Sequence, residues 1–283
     1  MAIELATKFA PYVDEKFTTE SKKSMLTNQD FDFVNARTVK IYKISTSEMN
    51  DYDRNGAKSG EQWSRYGAVK DLDATTETMT LKKDRSFTFV IDKMDNDETV
   101  NQLEAAAGAL ERQTREVVIP EVDTYTYGIM VAGAGTKPVA KTLTPENIYD
   151  EILAGSETLD TAEVPETDRY LVVSPKVYAV MKKSKDILME TDIAQEIKAK
   201  GVIAELDGFK VIKVPVNRVP ENFGFMLVHP SATVAPTKLE EYKIHQDPPG
   251  ISGSLVEGRI CYDAFVLENK TKAIYYQENK ATE

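Results

Sequence analysis

His229 and His245 are the only histidines in the chain, so any imidazole base, proton shuttle or metal ligand has to come from one of them. His229 follows the apolar run "FMLV" and precedes Pro230, and neither histidine belongs to an HExxH or Cys/His cluster. Both are read as structural. Ser174 in "VVSPK" stands where a strand turns into a helix, the place of a hydrolase nucleophile, but GxSxG is absent and Pro175 replaces the backbone donor needed after that serine. A helix N-cap with proline at the first helical position fits better. "GAGTKP" and "GISGSLVEG" match neither GxxxxGK[ST] nor GxGxxG, so a phosphate cradle is unsupported. Asp92, Asp95, Asp97 and Glu98 are spaced for metal holding or acid/base work. The same spacing suits an acidic helix start favoured by the macrodipole, which needs no further explanation.

Cys261, the single cysteine, lies in the alternating run "GRICYDAFVL"; it cannot form an intrachain disulfide and reads as a small buried hydrophobe. Lys82, Lys83 and Arg85 read as a solvated face beside a turn, not a nucleic-acid patch. No catalytic, cofactor-binding or metal-binding residue is assigned, and no cofactor is expected. What remains are aromatic and arginine side chains in polar surroundings. Trp63, the only tryptophan, sits in "GEQWSRYG" with little local apolar cover. Aromatics and arginines are the residues that most often anchor interfaces. The expected contacts between subunits are therefore Tyr52, Arg54, Trp63, Arg65, Tyr66, Arg85, Arg112, Arg115 and Arg259.

The elements that must position these residues alternate along the chain. Residues 1–36 are polar and interrupted, an extended or partly helical arm in which "ELATKFAPYVDEKF" forms one short helix broken at Pro11. "RTVKIYKIST" is a strand, as are "ETMTLKKD" and "RSFTFVIDKM", the last with Phe87, Phe89 and Ile91 on one face. The polar excursion between them, with Tyr52, Trp63 and Tyr66, is far longer than the usual connection of about 4–6 residues. It is either disordered or completed by something outside the monomer.

Residues 98–119 carry the strongest helical pattern, with Val100, Leu103, Ala107, Leu110, Thr114 and Val117 on one face and Asp97 as N-cap. Pro120 predicts a kink or stop, with "EVDTYTYGIMVA" continuing the same direction. After a linker at 133–143, Thr144 and Pro145 open a helix that Gly155 interrupts or ends. The strand "RYLVVSP" leads into "KVYAVMKKS"; "ETDIAQEIKAKG" is a further helix ending at Gly201; "VIAELDGFKVIKVP" is a hairpin around Asp207-Gly208. "FMLVHPSATVAP", "LEEYKIHQD" and the closing stretch 247–276 supply the late strands.

At 283 residues with 41% hydrophobic and 29% charged composition, the chain has the make-up of a soluble globular protein of one or two domains. No apolar run approaches the ~20 residues of a membrane span, and the start "MAIELATKFAPYVDEKF" lacks the basic-then-apolar order of a signal peptide, so a cytoplasmic origin without membrane partners is expected. A net charge of −11, from 46 acidic against 35 basic residues, opposes a role in gripping nucleic acid, because such affinity comes largely from phosphate neutralisation. It does not oppose a wall that encloses nucleic acid.

In this order the parts resemble the major capsid protein of tailed bacteriophages with the HK97-type fold, as in phages and prophages of Gram-positive bacteria. "MNDYDRNGAKSGEQW", "DRSFTFVIDKMDNDET", "ALERQTREVVIPEVDTYTYG", "RYLVVSPKVYAVMK", "DGFKVIKVP" with "RVP", and "VEGRICYDAFVLENKTKAIYY" carry the resemblance. It implies an α+β fold with five parts: an N-terminal arm (1–36), an E-loop hairpin with flanking P-domain strands (37–92), a P-domain spine helix and linker (93–143), an A-domain (144–240), and return strands to the P-domain with the C-terminus (241–283). It implies a homo-oligomer of pentamers and hexamers in an icosahedral virion shell, assembled in the host bacterial cytoplasm. The shell would enclose double-stranded DNA without sequence-specific binding. A separate scaffolding protein and a portal are further expected partners, the scaffold because the chain lacks the long N-terminal extension that some relatives use in its place and only the short arm precedes the first strand. Some relatives join a lysine to an asparagine of a neighbour; here Lys58 or Lys70 and Asn269 hold those chemical types. The rivals are an encapsulin-like nanocompartment shell, another virion or tail structural protein, and a small α/β enzyme with a converging polar pocket.

Overall fold

In a computed structural model of the chain, the structure describes residues 20–28, 30–31, 38–54, 64–67, 69–94, 106–189 and 205–280. The expectations for the arm up to residue 19 with its break at Pro11, for Lys58, Trp63 and the Asp97 cap, and for the helix ending at Gly201 lie outside these residues. The chain divides into two compact units, one over residues 35–81 and the other over the remainder.

The smaller unit is a ribbon. Strands β1, Thr38–Ile44, and β2, Ala74–Thr80, pair antiparallel with Tyr42 opposite Thr76 and Ile44 opposite Ala74. β1 alternates exposed and half-buried positions along its length, the period-2 signature of a ribbon with two unlike faces.

The larger unit opens with a short helix α1, Lys23–Leu26, and a three-stranded antiparallel sheet. In this sheet β10, Gly253–Tyr262, lies between β3, Lys83–Asp92, and β9, Thr237–Gln246. Phe87 pairs with Gly258 and Phe89 with Val256, so the aromatic residues of β3 share the face that carries Ile260 and Tyr262. A long helix packs on that face: Val118 and Val122 meet Ile260 and Tyr262, with Phe87 and Tyr125 at the margin.

This helix begins within the described residues as α2, Ala106–Gln113, passes through a π-helical turn at Thr114–Val118, and continues as α3, Ile119–Ala132. Pro120 therefore does not stop it. A proline lacks its own N–H and crowds the carbonyl one turn back. The π turn widens the backbone just ahead of it, with the Ile119 N–H donating to the Thr114 carbonyl. The extra residue also rotates the apolar stripe. Val117, expected on the buried face, is 46% exposed, while Val118, Val122, Tyr127 and Met130 are buried.

The second sheet has five strands in the order β12-β7-β4-β6-β5. β4, Tyr170–Val173, runs parallel to β6, Phe209–Lys213, and antiparallel to β7, Phe223–Val228; β5, Glu205–Leu206, and β12, Ile274–Glu278, are its edges. All six residues of β7 are buried, the continuous apolar run of a strand covered on both faces. One face, with Leu171, Val173, Phe225, Leu227 and Tyr275, packs on α4, Ile148–Thr161, and α5, Pro175–Met181. The other, with Val172, Met226, Val228, Ile274 and Tyr276, meets Tyr127 and Met130 of α3 and Leu26 of α1. A third helix, α6, Lys185–Met189, adds Ile187 to the first layer.

Residues 241–283 are thus shared between sheets: β9 and β10 belong to the first and β12 to the second, joined through β11, Phe265–Val266, and a 3-10 turn at Glu268–Ala273. β11 pairs with β8, Thr233–Val234.

Two helix boundaries differ from the sequence reading. Thr144 is followed by a turn, and α4 starts at Ile148 with Asn147 as its cap; the Asn147 carboxamide instead closes the turn, accepting from the Thr144 N–H at 2.8 Å and donating to the Thr142 carbonyl at 2.9 Å. Gly155 does not interrupt α4. It lets the helix approach the sheet, since a Cβ there would lie 2.5 Å from Leu227 Cδ1 and 3.1 Å from the Tyr275 ring.

Candidate assembly surfaces

The residues first suspected of chemistry are used in structure. The Ser174 hydroxyl caps α5, accepting from the Val177 N–H at 3.4 Å. His229 caps the 3-10 turn Pro230–Ala232; its Nδ1 accepts from the Ser231 N–H at 3.3 Å and lies 2.8 Å from the Ser231 hydroxyl. Burial, with Lys270 nearby, lowers the basicity of the ring, which keeps it neutral at pH 7. His245, on β9, lies 3.4 Å from the Glu257 carboxylate on an exposed sheet face. Cys261 is partly exposed instead of buried, because its register places it on the polar face of β10, beside Asp84 and opposite to Ile260 and Tyr262.

The predicted contact residues separate into two groups. In the ribbon, Tyr52 and Tyr66 come together with ring centroids 5.0 Å apart in an edge-to-face arrangement. The backbone brings them there, as the Asp53 N–H donates to the Arg65 carbonyl at 3.0 Å and Gly67 adopts a φ of +95°, a conformation open to glycine. Asp73 and Ser45 close the base of the excursion, with the Ser45 N–H donating to the Asp73 carbonyl and the Asp73 N–H to the Ser45 hydroxyl, both at 2.9 Å. Arg54 and Arg65 are exposed beside the tyrosine pair. So are the apolar side chains of Tyr42, Ile44, Met49, Val69 and Leu72, from 57% to 98%.

In the larger unit the arginines are engaged within the subunit. Arg85 Nε donates to Glu121 Oε1 at 2.7 Å, tying β3 to α3, and Glu121 also accepts from the Tyr262 hydroxyl at 3.2 Å. Arg259 makes a two-pronged pair with Asp84 across β10 and β3, at 2.9 and 2.6 Å. Both side chains remain largely exposed, at 61% and 58% accessible. Arg112 and Arg115 are half-buried on the long helix. Asn269 and Lys70 are both exposed.

Two buried polar centres escaped the sequence reading. Asp123 and Arg218 form an ion pair at 2.8 Å with side chains 2% and 3% accessible, and the Ser21 hydroxyl donates to the second Asp123 oxygen at 2.6 Å. This joins the long helix, the 3-10 turn Val216–Arg218 and the residues before α1. Burial lowers the pKa of Lys23 nearby, against the attraction of Asp123 and Glu240, and raises that of Tyr127. The second centre is Asp263, 2% exposed, which accepts from the Lys82 N–H at 2.7 Å, the Tyr125 hydroxyl at 2.7 Å and the Ala264 N–H at 2.8 Å. Burial and this hydrogen bond push Tyr125 up to about 12. The one signal in the sequence was an acid among apolar positions in each case, "EVDTYTYG" and "CYDAFV".

Comparisons with known proteins agree with this architecture. A family model described as phage capsid protein matches residues 73–276. No curated protein matches the sequence significantly. Among solved structures, a chain from Mycobacterium phage Che8 superposes with a TM-score of 0.78 at 16% identity, over 96% of each chain. The asymmetric unit of the bacteriophage PhiM1 mature capsid gives 0.75 at 16% identity, covering 99% of this chain and 93% of that one. A weaker likeness, 0.56 at 11% identity over 92% of each, is to a virus-like particle from Pyrococcus furiosus. The fold is α+β of the HK97 type.

Proposed function

Because the chain belongs to the phage capsid protein family, we infer that many copies assemble as pentamers and hexamers into an icosahedral shell around double-stranded DNA. The observation that carries this is the ribbon. A two-stranded hairpin is marginal alone in water, yet this one exposes Tyr42, Ile44, Tyr52, Tyr66, Val69 and Leu72. A neighbouring subunit supplies the missing cover, so burial is shared across the shell instead of completed within one chain.

In this reading residues 37–92 are the E-loop and its flanking strands, 93–143 the spine helix and linker, 144–240 the A-domain, and 241–283 the return segment. Tyr52, Arg54, Trp63, Arg65 and Tyr66 make the reach across to the neighbour, while Arg85, Arg112, Arg115 and Arg259 line the body that receives it. The net charge of −11 suits a wall that contains DNA without gripping it. A scaffolding protein and a portal are its proposed partners, the first setting shell size and the second the DNA entrance. Assembly takes place in the host cytoplasm, and the chain has no catalytic role. A nanocompartment of the same fold differs in its contents, a protein cargo in place of DNA.

The test is assembly itself. Tyr66→Asp with Leu72→Asp places charge on the ribbon's apolar surface and leaves the larger unit's buried clusters intact. The expected result is loss of fast-sedimenting particles with the melting temperature of the subunit unchanged. Wild-type sedimentation in the double variant refutes the role of the ribbon.

A further inference from the structure

His229 stands where several segments of the larger unit meet. It follows β7 directly, and its N–H donates to the Ala273 carbonyl at 3.1 Å, which holds the end of the 3-10 turn Glu268–Ala273. Its carbonyl accepts from the Ala232 N–H at 3.1 Å, and its ring hydrogen-bonds the backbone of Thr167 in the loop ahead of β4. Beyond it the turn Pro230–Ala232 runs straight into β8. The Ala232 carbonyl accepts from the Leu267 N–H at 2.9 Å, and the Thr233 carbonyl accepts from the Asn28 N–H at 2.7 Å. Asn28 also forms a parallel bridge with Val234. The attachment of the segment that carries α1 therefore depends, at its Asn28 end, on the turn that His229 caps.

The cap works only with a neutral imidazole. The Ser231 N–H reaches Nδ1, and a backbone N–H can only donate, so Nδ1 carries a lone pair and the ring proton sits on Nε2, where the Thr167 carbonyl accepts it. The Ser231 hydroxyl, 2.8 Å from Nδ1, donates to the same lone pair. A second proton turns Nδ1 into a donor that faces a donor. The Ser231 N–H then loses its acceptor, and a donor left unsatisfied inside a fold costs its full desolvation. The surroundings oppose the added charge as well. Lys270 on the 3-10 turn and Arg169 ahead of β4 repel it, while Asp168, which attracts it, is already paired with Lys210 at 2.7 Å.

We propose that His229 is an acid-sensitive fastener: protonation of its ring opens the turn Pro230–Ala232, loosens β8 and releases Asn28 from the body of the subunit. The inference concerns the single chain and does not depend on the shell reading. Burial disfavours the charged ring in the folded state, so the fastening is complete above the pH at which an unfolded histidine titrates, about 6.5, and is lost as pH falls below it. The experiment is hydrogen–deuterium exchange of the full chain by mass spectrometry from about pH 7.5 to about pH 4.5, the range in which histidine charges, with rates corrected for the intrinsic effect of pH. In the wild type, exchange of the peptides holding Ser231–Val234 and Asn28 is expected to accelerate roughly tenfold on acidification, the effect of one lost hydrogen bond. In His229→Asn, whose carboxamide keeps an acceptor for the Ser231 N–H and does not titrate, the acceleration disappears; in His245→Asn it persists. No acceleration in the wild type, or the same acceleration in His229→Asn, overturns the proposal. Acceleration spread evenly along the chain overturns it too, because acid then acts on the fold at large. If His229→Asn does not fold, the wild-type ring resonances decide: titration below about 6.5 in step with the exchange supports the fastener, and titration at or above that value contradicts it.

Discussion

Asp123 occupies the middle of a helix with its carboxylate closed off from water, held by Arg218 and Ser21. A buried pair is weak evidence of net stability, yet breaking one leaves an uncompensated charge inside the protein. Asp123→Ala is expected to destabilise the free subunit by about 3–5 kcal/mol, read as a lower urea midpoint. Asp123→Leu combined with Arg218→Met recovers most of that loss, since no lone charge remains. A loss below about 1 kcal/mol for the single variant places the pair in the class of surface bridges and contradicts its burial. The sequence marks Asp123 as an acid among apolar positions but does not reveal its partner, an arginine 95 residues later. Ser174 and Asp207-Gly208 were legible because their chemistry is local. The hydroxyl caps the turn next to it, and the positive φ values of +50° and +73° belong to the residue types found there.

Among the elements, α4 shows how packing overrides local preference. Glycine in a helix interior costs roughly 0.5–1 kcal/mol relative to alanine, which is why Gly155 reads as a break. The sheet needs that position empty. Gly155→Ala, which raises helix propensity, is expected to lower stability by about 1–3 kcal/mol through overpacking against Leu227 and Tyr275. A rise in melting temperature contradicts the close approach. The long helix is a related case: of the expected stripe Val100 and Leu103 lie outside the described residues, Ala107 is exposed while Ala109 is buried, and beyond the π turn ahead of Pro120 the buried valine is Val118 instead of Val117. No periodicity count anticipates an inserted residue.

For the whole molecule, the order of strands and helices was legible in the sequence, and the division of the closing segment between two sheets was not, because strand partners are chosen by tertiary packing. Stability of the subunit carries a signature in alkali. Tyr125, Tyr242, Tyr275 and Tyr276 are pushed up to about 12, with burial the largest cause in each, and Tyr127 and Tyr262 are raised as well. The folded state then holds these protons more tightly than the unfolded chain, whose tyrosines titrate near about 10. Their contribution is fully present below pH ~10 and is lost as pH rises from there toward 12. Denaturant midpoints are expected to fall steeply over that window, together with the growth of tyrosinate absorbance; tyrosinate formation in the folded state at its ordinary pH contradicts the burial of these rings.

The central claim is that the chain builds a closed container from copies of itself, and electron microscopy of the purified protein at rising concentration tests it most directly. The account predicts closed shells or five- and six-membered rings, rings forming even where a scaffold is needed for uniform shell size. A compact monomer at every concentration contradicts it.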